Sequence, residues 1–324
     1  MLEYKRVLIV EDDSINALIT RHYVEKAGYQ VSNVVDDGEK ALQEIEKARP
    51  DLILMDIKIN GDYDGIETAQ RIQSQFSIPI IYLTAYTNEE ILNRAKKTKP
   101  YGYIIKPIDE KLLTINMEMA LYKHQAEQSI IDMNKVLDDT VDALARTIEF
   151  RDPYTSGHQK RVSKLACTIA QSMDLSEMIC KGLHIAGILH DIGKIVIPSE
   201  ILSKPNRLSR IELELIKQHP QAGYDIIKNI SFPWPVAAIV LQHHERMNGS
   251  GYPNRLREND IIIEARIMAV ADVVEAMSSH RPYRPSLGLT AALDEIQCNR
   301  GILYDPEVVD CCLRVFAEQQ FNFD

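Results

Sequence analysis

The chain has 324 residues, of which 45% are hydrophobic and 26% are charged, and its formal net charge is −10. This length suggests two domains, each long enough to bury a core of its own. The acidic excess occurs in both halves, which excludes the basic surface of a protein that binds DNA directly. No run approaches about 18 consecutive apolar residues, which excludes a transmembrane span. Five cysteines without a CxxC pair, together with no signal-peptide pattern, predict a cytoplasmic protein.

Short apolar runs alternate with helix-like segments over about the first 110 residues. The runs cover residues 7–10, 31–35, 52–55, 78–83 and 103–105. Continuously apolar strands that are separated by helices are typical of a parallel sheet covered on both faces. We therefore predict an α/β fold with a doubly wound, five-stranded parallel sheet.

Polar side chains follow these strands, at the edge where open α/β sheets place their sites. Glu11 and Asp12 follow the first strand and Asp56 follows the third, giving carboxylate oxygens that suit Mg²⁺. Asp56 is also a candidate nucleophile toward a phosphoryl donor, because carboxylates form acyl phosphates. Thr84 and Lys106 end the fourth and fifth strands and are candidates for binding the phosphate oxygens. Any one of them alone is as well explained by a helix cap or a surface charge.

The segment resembles the receiver domain of two-component response regulators, and we assign residues 1–123 to it. The matching text is VLIVEDD, PDLILMDIKI, IIYLTAY and YGYIIKPID. The resemblance implies a flavodoxin-like fold and phosphorylation of Asp56 by a cognate histidine kinase. The implied site residues are Glu11, Asp12, Asp56 and the carbonyl of Lys58 for Mg²⁺, with Thr84, Tyr103 and Lys106 as the switch.

A segment without proline or glycine, from about residue 110 to residue 150, predicts a long helix. Its apolar residues recur every three or four positions, at Ile130, Met133, Leu137, Val141, Leu144 and Ile148. Two interpretations stay open. The helix either packs on its own domain, or pairs with a second copy to form a homodimer that transmits the receiver's state. Residues 124–150 are assigned as this linker.

The rest of the chain, residues 151–324, predicts an all-α domain rich in histidine. Apolar residues recur at helical spacing, and proline and glycine punctuate the segments. Histidines occur in the contexts GHQKRV, ILHDIGK, QHPQAG and LQHHERMNGSGYP. Asp272 lies in the otherwise apolar stretch RIMAVADVVEA, where a carboxylate must be paired or must bind a metal.

These residue types indicate metal chemistry on a phosphate ester. Imidazole and carboxylate groups without thiolates suit Fe, Mn, Zn or Co. One helical histidine alone is more often a core residue with a hydrogen bond, but the whole set suits a two-metal centre. Such a centre acidifies a bridging water into a hydroxide nucleophile. It also binds the attacking and leaving oxygens of a phosphodiester.

Residues from about 140 to 320 resemble the HD-GYP family, a branch of the HD superfamily of metal-dependent phosphohydrolases. The hallmark text is HDIGK and HHERMNGSGYP, supported by YTSGH and RPYR. The resemblance implies hydrolysis of cyclic di-GMP to linear pGpG, and onward hydrolysis to GMP stays open. The implied ligands are His158, His190 and Asp272 for one metal, Asp191 as the bridge, and His219, His243 and His244 for the other.

The resemblance also implies the groups that act on the substrate. Lys194 would steady the phosphate oxygens or the leaving group, beside His190 and Asp191 at the reacting centre. Gly251 and Tyr252 would shape the loop that names the family. Further candidate substrate contacts are Arg281 and Arg284 for phosphate or a guanine edge, and Tyr252 or Tyr283 for stacking on a base.

Three positions depart from the family pattern without removing an implied ligand. Met247 and Asn248 stand where the family usually has Trp-Asp, and Glu275 stands where it usually has Asp. Some relatives carry a glutamate one turn before the first histidine ligand and hold a third metal. Tyr154 occupies that place here, which favours two metals.

Three functions fit these observations. The first is a response regulator whose output domain hydrolyses cyclic di-GMP. The second is a module that senses the dinucleotide, or docks onto partners, with little turnover. The third is a metallohydrolase that acts on another cyclic dinucleotide or a nucleotide. A transcription factor is disfavoured because the output half has no basic recognition helix.

Overall fold

The chain forms two compact units, the first ending at Lys135 and the second beginning at Val136. The computed structural model describes residues 5–85, 89–151, 157–204, 206–279, 286–318 and 321–323. The division falls inside the linker that we assigned to residues 124–150, and the domain limits at 123 and 150 stay predictions. No helix within the described ranges is long and apolar enough to cross a membrane.

The first unit is built on the predicted five-stranded parallel sheet. Its strands are β1 Arg6–Val10, β2 Gln30–Val35, β3 Leu52–Asp56, β4 Ile80–Thr84 and β5 Gly102–Ile105. The spatial order is β2-β1-β3-β4-β5, the flavodoxin-like order. Every residue of β3 and β4 is buried, as a sheet covered on both faces requires. The fourth strand begins two residues later than the predicted run, after Pro79, which has no N–H to donate to the ladder.

Helices cover the two faces of this sheet and begin close to the strand ends. They are α1 Ser14–Lys26, α2 Gly38–Lys47, α3 Gly65–Gln75 and α4 Glu89–Lys96. Asp13, Asp37 and Asp64 cap the first three helices by accepting hydrogen bonds from backbone N–H groups. Alternate residues of each strand face opposite cores, so Leu8 belongs to one hydrophobic cluster and Ile9 to the other.

Residues Glu110–Glu149 form a single long helix, α5, which confirms the prediction of a long helix. The exposure of its apolar stripe differs between the earlier and the later part of the helix. Val141 and Ile148 are only 5% and 1% exposed and belong to the core of the second unit. Ile130 and Met133 are 62% and 71% exposed. The later part of the stripe therefore packs on its own unit, and pairing with a second copy stays a prediction for the earlier part.

The described part of the second unit is built from helices and loops, without a β-strand, which confirms the predicted all-α domain. Its helices are α6 His158–Ser172, α7 Glu177–Leu189, α8 Ser199–Leu202, α9 Arg210–Ile216, α10 His219–Ile227, α11 Val236–Gln242, α12 Ile263–Ser278, α13 Leu289–Cys298 and α14 Pro306–Glu318. A short 3₁₀ helix, Ile192–Val196, follows α7. The core includes buried residues of α6, α7, α11 and α12.

Two glycines let the elements that carry the histidines approach closely. A Cβ on Gly187 of α7 would lie 2.7 Å from the Ser163 Cα of α6. A Cβ on Gly193 would lie 1.9 Å from the carbonyl oxygen of His219, at the start of α10. Both distances are shorter than any ordinary carbon contact, so these crossings require glycine.

We predict that Gly187→Ala destabilises the second unit. Alanine has the higher helix propensity, by about 1 kcal/mol, but its methyl group would overlap the backbone of α6 and cost about 1–3 kcal/mol. The measurement is denaturant unfolding of both variants against wild type. Lys181→Ala, on the exposed face of the same helix, is the control and should change stability by less than about 0.5 kcal/mol. A Gly187→Ala protein as stable as wild type would contradict this crossing.

Candidate metal centre

The predicted metal ligands of the second unit all lie at helix ends or on one buried helix. His158 begins α6, and His190 and Asp191 directly follow α7. His219 begins α10, and His243 and His244 directly follow α11, whereas Asp272 lies within α12. These seven side chains are buried, except that His244 is half-buried.

These residues form three overlapping triplets, and within each triplet the three ligand atoms lie within 4.8 Å of one another. The triplets are His158, His190 and Asp272, then His190, Asp191 and His243, then His219, His243 and His244. Shared members join them into one continuous cluster. The structure thus brings together all seven side chains that the sequence singled out.

Asp191 lies in the middle of this cluster. Its Oδ2 is 3.5 Å from Nε2 of His190, and its Oδ1 is 3.4 Å from Nε2 of His219. The Nζ of Lys194 is 2.7 Å from the same Oδ2. One carboxylate thus faces histidines at both ends of the cluster.

Three imidazole rings are held in the same way. The Nδ1 atoms of His190, His219 and His243 each lie 2.7–2.8 Å from the carbonyl oxygen of the residue three positions earlier. A carbonyl oxygen only accepts, so each Nδ1 carries the proton and donates it. The Nε2 of each neutral ring therefore presents a lone pair, as in histidines that bind metal through Nε2.

These lone pairs face each other in a buried space. The Nε2 of His219 is 3.3 Å from the Nε2 of His243, and neither ring has a second proton to place between them. The Nε2 of His190 is buried and finds no hydrogen-bond donor or acceptor among the described residues. Facing acceptors without a donor are unfavourable in a buried site. This set of ligand atoms fits a cation, because the lone pairs would then coordinate the ion.

The protonation states of His219, His243 and the two aspartates agree with this fit. Burial, as the largest cause, lowers the pKa of His219 to about 4 and that of His243 to about 3. Burial alone would raise the pKa of Asp191, but Lys194 and the neighbouring imidazoles outweigh it and hold that pKa well below its usual range. The same balance applies to Asp272, chiefly through its hydrogen bond with His158. Neutral imidazoles and ionised carboxylates are the forms that bind metal.

Glu275, named above only as a departure from the family pattern, belongs to this site, and the sequence did not predict its role. It is 1% exposed, and its Oε2 is hydrogen-bonded to Nδ1 of His158. Its Oε1 accepts from Nε of Arg161 at 2.7 Å and from Oγ of Ser279 at 2.7 Å. The available signal was its position three residues after Asp272, which puts both carboxylates on one face of α12.

The charges around His158 differ from those around the other rings. Burial lowers its pKa, but hydrogen bonds with Asp272 and Glu275 outweigh that effect and raise it to about 9. Burial would raise the pKa of Glu275, and the His158 hydrogen bond is the main cause that lowers it to about 2. Two ionised carboxylates therefore flank this imidazole.

The loop after α11 packs against the cluster. A Cβ on Gly251 would lie 2.5 Å from the backbone of Glu245, so only glycine fits there. The Glu245 carboxylate accepts hydrogen bonds from the backbone N–H groups of Asn254 at 2.7 Å and Leu256 at 3.0 Å. The ring of Tyr252 lies against that of His244, with centroids 4.8 Å apart. The loop thus places an aromatic face beside the cluster.

The structure describes some of the positions that depart from the family pattern and not others. Asn248 makes a local turn, in which its side-chain oxygen accepts from the N–H of Ser250 at 3.0 Å. Four positions that entered the predictions lie outside the described residues: Tyr154, Arg281, Tyr283 and Arg284. The substrate contacts assigned to the two arginines stay predictions.

The first unit brings its predicted carboxylates together at the carboxyl ends of β1 and β3. Oxygens of Glu11, Asp12 and Asp56 lie within 4.8 Å of one another. The Nζ of Lys106 is 2.6 Å from both Glu11 and Asp56, and the N–H of Lys58 donates to Asp56 at 3.1 Å. Burial is the main cause that raises the pKa of Glu11 to about 7, against the lowering effect of Lys106. An oxygen-rich cluster of three acids and one cation fits a hard divalent ion.

The predicted switch residues lie on the neighbouring strands. Thr84 ends β4 and is 1% exposed, and Tyr103 on β5 is half-buried. The Tyr103 ring lies 5.8 Å from the Tyr82 ring, and its buried hydroxyl has no hydrogen-bond partner within the described ranges. The role of Thr84, Tyr103 and Lys106 as a switch stays a prediction.

Both units match known families. Residues 7–118 match the response regulator receiver domain, and residues 142–308 match the HD domain. The chain is 36% identical to the "Cyclic di-GMP phosphodiesterase response regulator RpfG" of Xanthomonas campestris, over 96% of this chain and 88% of that protein. It is 35% identical to a "Cyclic di-GMP phosphodiesterase" of Thermotoga maritima, over 96% and 90%.

Another relative is similar to a smaller share of the chain. The chain is 31% identical to "3'3'-cGAMP-specific phosphodiesterase 2" of Vibrio cholerae, over 66% of this chain and 41% of that protein. The matches at full length include both units and span most of each relative. The chain therefore belongs to the response regulators that join a receiver domain to an HD domain.

Proposed function

We propose that this protein is a response regulator whose second unit hydrolyses cyclic di-GMP to linear pGpG at a two-metal centre. The observation that carries the proposal is the continuous cluster of seven imidazole and carboxylate ligands, with acceptor lone pairs facing each other. Two full-length relatives that are named cyclic di-GMP phosphodiesterases support the substrate. Onward hydrolysis of pGpG to GMP would use the same centre.

The ligands divide naturally between two divalent ions such as Fe or Mn. We assign one ion to His158, His190 and Asp272, the other to His219, His243 and His244, and the bridge to Asp191. Imidazole and carboxylate ligands suit these metals. When bound, the ions supply charge neutralisation at the phosphate and acidify a water.

The protein's own groups would orient the phosphodiester. The Lys194 ammonium, which lies 2.7 Å from Oδ2 of Asp191, would contact a phosphate oxygen or the leaving oxygen. The Tyr252 ring is backed by His244 on one side, and the Lys217 Nζ lies 5.8 Å from its centroid. We assign Tyr252 to stacking on a guanine, the Gly251 backbone to the close approach of the loop, and Arg281 and Arg284 to the remaining phosphate or base contacts.

The receiver unit would control this activity through phosphorylation. We propose that Mg²⁺ binds Glu11, Asp12, Asp56 and the carbonyl of Lys58. A phosphorus–oxygen bond to Asp56 would form as the bond to the kinase histidine breaks, with Lys106 neutralising the new charge. Thr84 and Tyr103 would then respond to the added phosphate oxygens.

A second copy of this chain is a further proposed partner. Ile130 and Met133 are exposed on the first part of α5, with the spacing of a helix-pairing seam. Three later residues of the stripe, Leu137, Val141 and Ile148, pack in or against the core of the second unit. We therefore restrict the proposed dimer contact to the earlier part of this helix.

Hydrolysis of another cyclic dinucleotide is the second candidate function. It is favoured by the similarity of 66% of the chain to a phosphodiesterase named for 3'3'-cGAMP. Turnover of cyclic di-GMP and 3'3'-cGAMP at matched concentrations decides between the two. Tight binding of both without a linear product would instead identify a sensor.

Divalent metal should stabilise the second unit. Binding to the folded state alone contributes about 2.7 kcal/mol when the free ion exceeds its Kd by roughly 100-fold. Thermal unfolding of chelator-treated protein with and without Mn²⁺ measures this, followed by the fluorescence of Trp234, the chain's one tryptophan. His190→Ala, which removes a ligand of one proposed ion, should reduce the shift, whereas His184→Ala, an exposed histidine outside the described clusters, should keep it in full. An equal shift in His190→Ala would contradict the centre.

Asp191→Asn should abolish hydrolysis of cyclic di-GMP. It keeps the size of the side chain but removes the charge that both ends of the cluster share, and metal affinity should fall by about 10-fold or more. Product formation and bound metal are measured on the same samples, and circular dichroism checks the helical fold. Asp225→Asn removes an exposed carboxylate of α10 and is the control. Normal turnover in Asp191→Asn would refute the assignment.

Asp56→Asn should remove the response of hydrolysis to a phosphoryl donor. The amide cannot form the acyl phosphate, and the metal ligands of the second unit are untouched. Turnover is compared before and after incubation with a kinase or a small-molecule phosphoryl donor. Asp62→Asn, an exposed acid of the same unit, serves as the matched control. The same response in Asp56→Asn and wild type would show that this residue is not the switch.

A further inference from the structure

The histidine ligands of the metal centre are not oriented alike. His190, His219 and His243 donate Nδ1–H to neutral backbone carbonyls of their own helix ends. The Nδ1 of His158 instead bonds the carboxylate of Glu275, which comes from a different helix. Among the ligand rings in the described structure, this is the one whose Nδ1 is hydrogen-bonded to a carboxylate, since Nδ1 of His244 lies 4.0 Å from Oδ2 of Asp272, beyond hydrogen-bond distance.

Glu275 is itself fixed from several sides. The Nε of Arg161 donates to its Oε1 at 2.7 Å, and an Nη atom of the same guanidinium lies 2.6 Å from that oxygen. The hydroxyl of Ser279 donates to Oε1 at 2.7 Å. His158 and Arg161 are three apart on α6, and Asp272 and Glu275 are three apart on α12. Two adjacent helices thus contact each other through a basic pair on α6 and an acidic pair on α12.

The two ring nitrogens of His158 have different partners. Its Nδ1 faces Glu275, whereas its Nε2 lies 3.3 Å from Oδ1 of Asp272, a proposed ligand. Both Glu275 oxygens are occupied by donors, so this carboxylate is not placed to bind an ion. A carboxylate acceptor fixes the ring more firmly than a carbonyl does and makes Nε2 a stronger ligand.

We infer that Glu275, held by Arg161, is a positioning residue that makes the His158 side the tighter of the two metal positions. This inference rests on the proposed two-metal function. The His158 side combines this charge-assisted imidazole with the carboxylate of Asp272. The other side has three imidazoles and shares Asp191. More negative charge among the ligands favours a divalent ion, so the His158 side fills first.

Metal titration of the full chain tests this inference. Wild type, Glu275→Gln and Glu275→Asp are stripped of metal and titrated with Co²⁺, with visible absorption and bound metal as readouts. Wild type should fill in two steps. Glu275→Gln should weaken the tighter step by about 10–100-fold and leave the weaker step unchanged. Glu275→Asp keeps the charge and should recover part of the loss.

A double variant shows whether the effect passes through His158. Glu275→Gln combined with His158→Ala should lose no more affinity than His158→Ala alone, because Glu275 acts on that ring. Combined with His244→Ala, which affects the other position, the two losses should add. Arg266→Gln is the matched control, since it breaks a part-buried ion pair with Asp305 in the same unit. It should leave both steps unchanged.

The outcomes separate this inference from the proposed function. Equal weakening of both steps by Glu275→Gln, or no weakening, overturns the positioning role even if cyclic di-GMP is hydrolysed. Selective loss of one step without hydrolysis by wild type supports the role and overturns the proposed function. If Glu275→Gln does not fold, Arg161→Lys tests the same contact. It keeps the charge but loses the guanidinium fork, and it should weaken the tighter step selectively.

Discussion

The metal centre depends on one repeated interaction, the hydrogen bond from an imidazole Nδ1 to a backbone carbonyl at a helix end. The last carbonyls of a helix have no partner within it. The carbonyls of Gly187, Ile216 and Val240 all lie in the last turn of their helices, and each is taken by a histidine just beyond. The same bond therefore satisfies the helix and fixes the tautomer of the ligand. This explains why the histidine pairs of the sequence stand where helices end.

This arrangement makes the site and the fold interdependent. Ionisable side chains are withdrawn from water, and several acceptor atoms face one another rather than donors. Such a cluster is unfavourable unless a cation occupies it, so a metal bound there would contribute to folding. Gly193 adds to this dependence, because only a residue without a Cβ lets the segment of Asp191 lie against His219.

The sequence predicts those features that a local pattern encodes. The strands of the first unit follow from apolar runs, and the convergence of His158, His190 and Asp272 follows from matched motifs. The role of Glu275 did not follow, because it needs Arg161 from another helix to reveal why a buried acid is tolerated there. The apolar stripe on α5 is a second example. Its spacing predicts which residues share one face of the helix but not what packs against that face.

Both units place their polar groups where secondary structure leaves the backbone incomplete. In the first unit, Glu11 and Asp56 lie at the carboxyl ends of parallel strands. In the second, imidazoles lie beyond the carboxyl ends of helices and use the free carbonyls there. Main-chain geometry therefore sets the ligand positions in each unit, while neighbouring side chains such as Lys106 and Glu275 adjust charge. A substitution at such a neighbour would alter affinity for an ion or a phosphoryl group without changing the fold that holds the ligands.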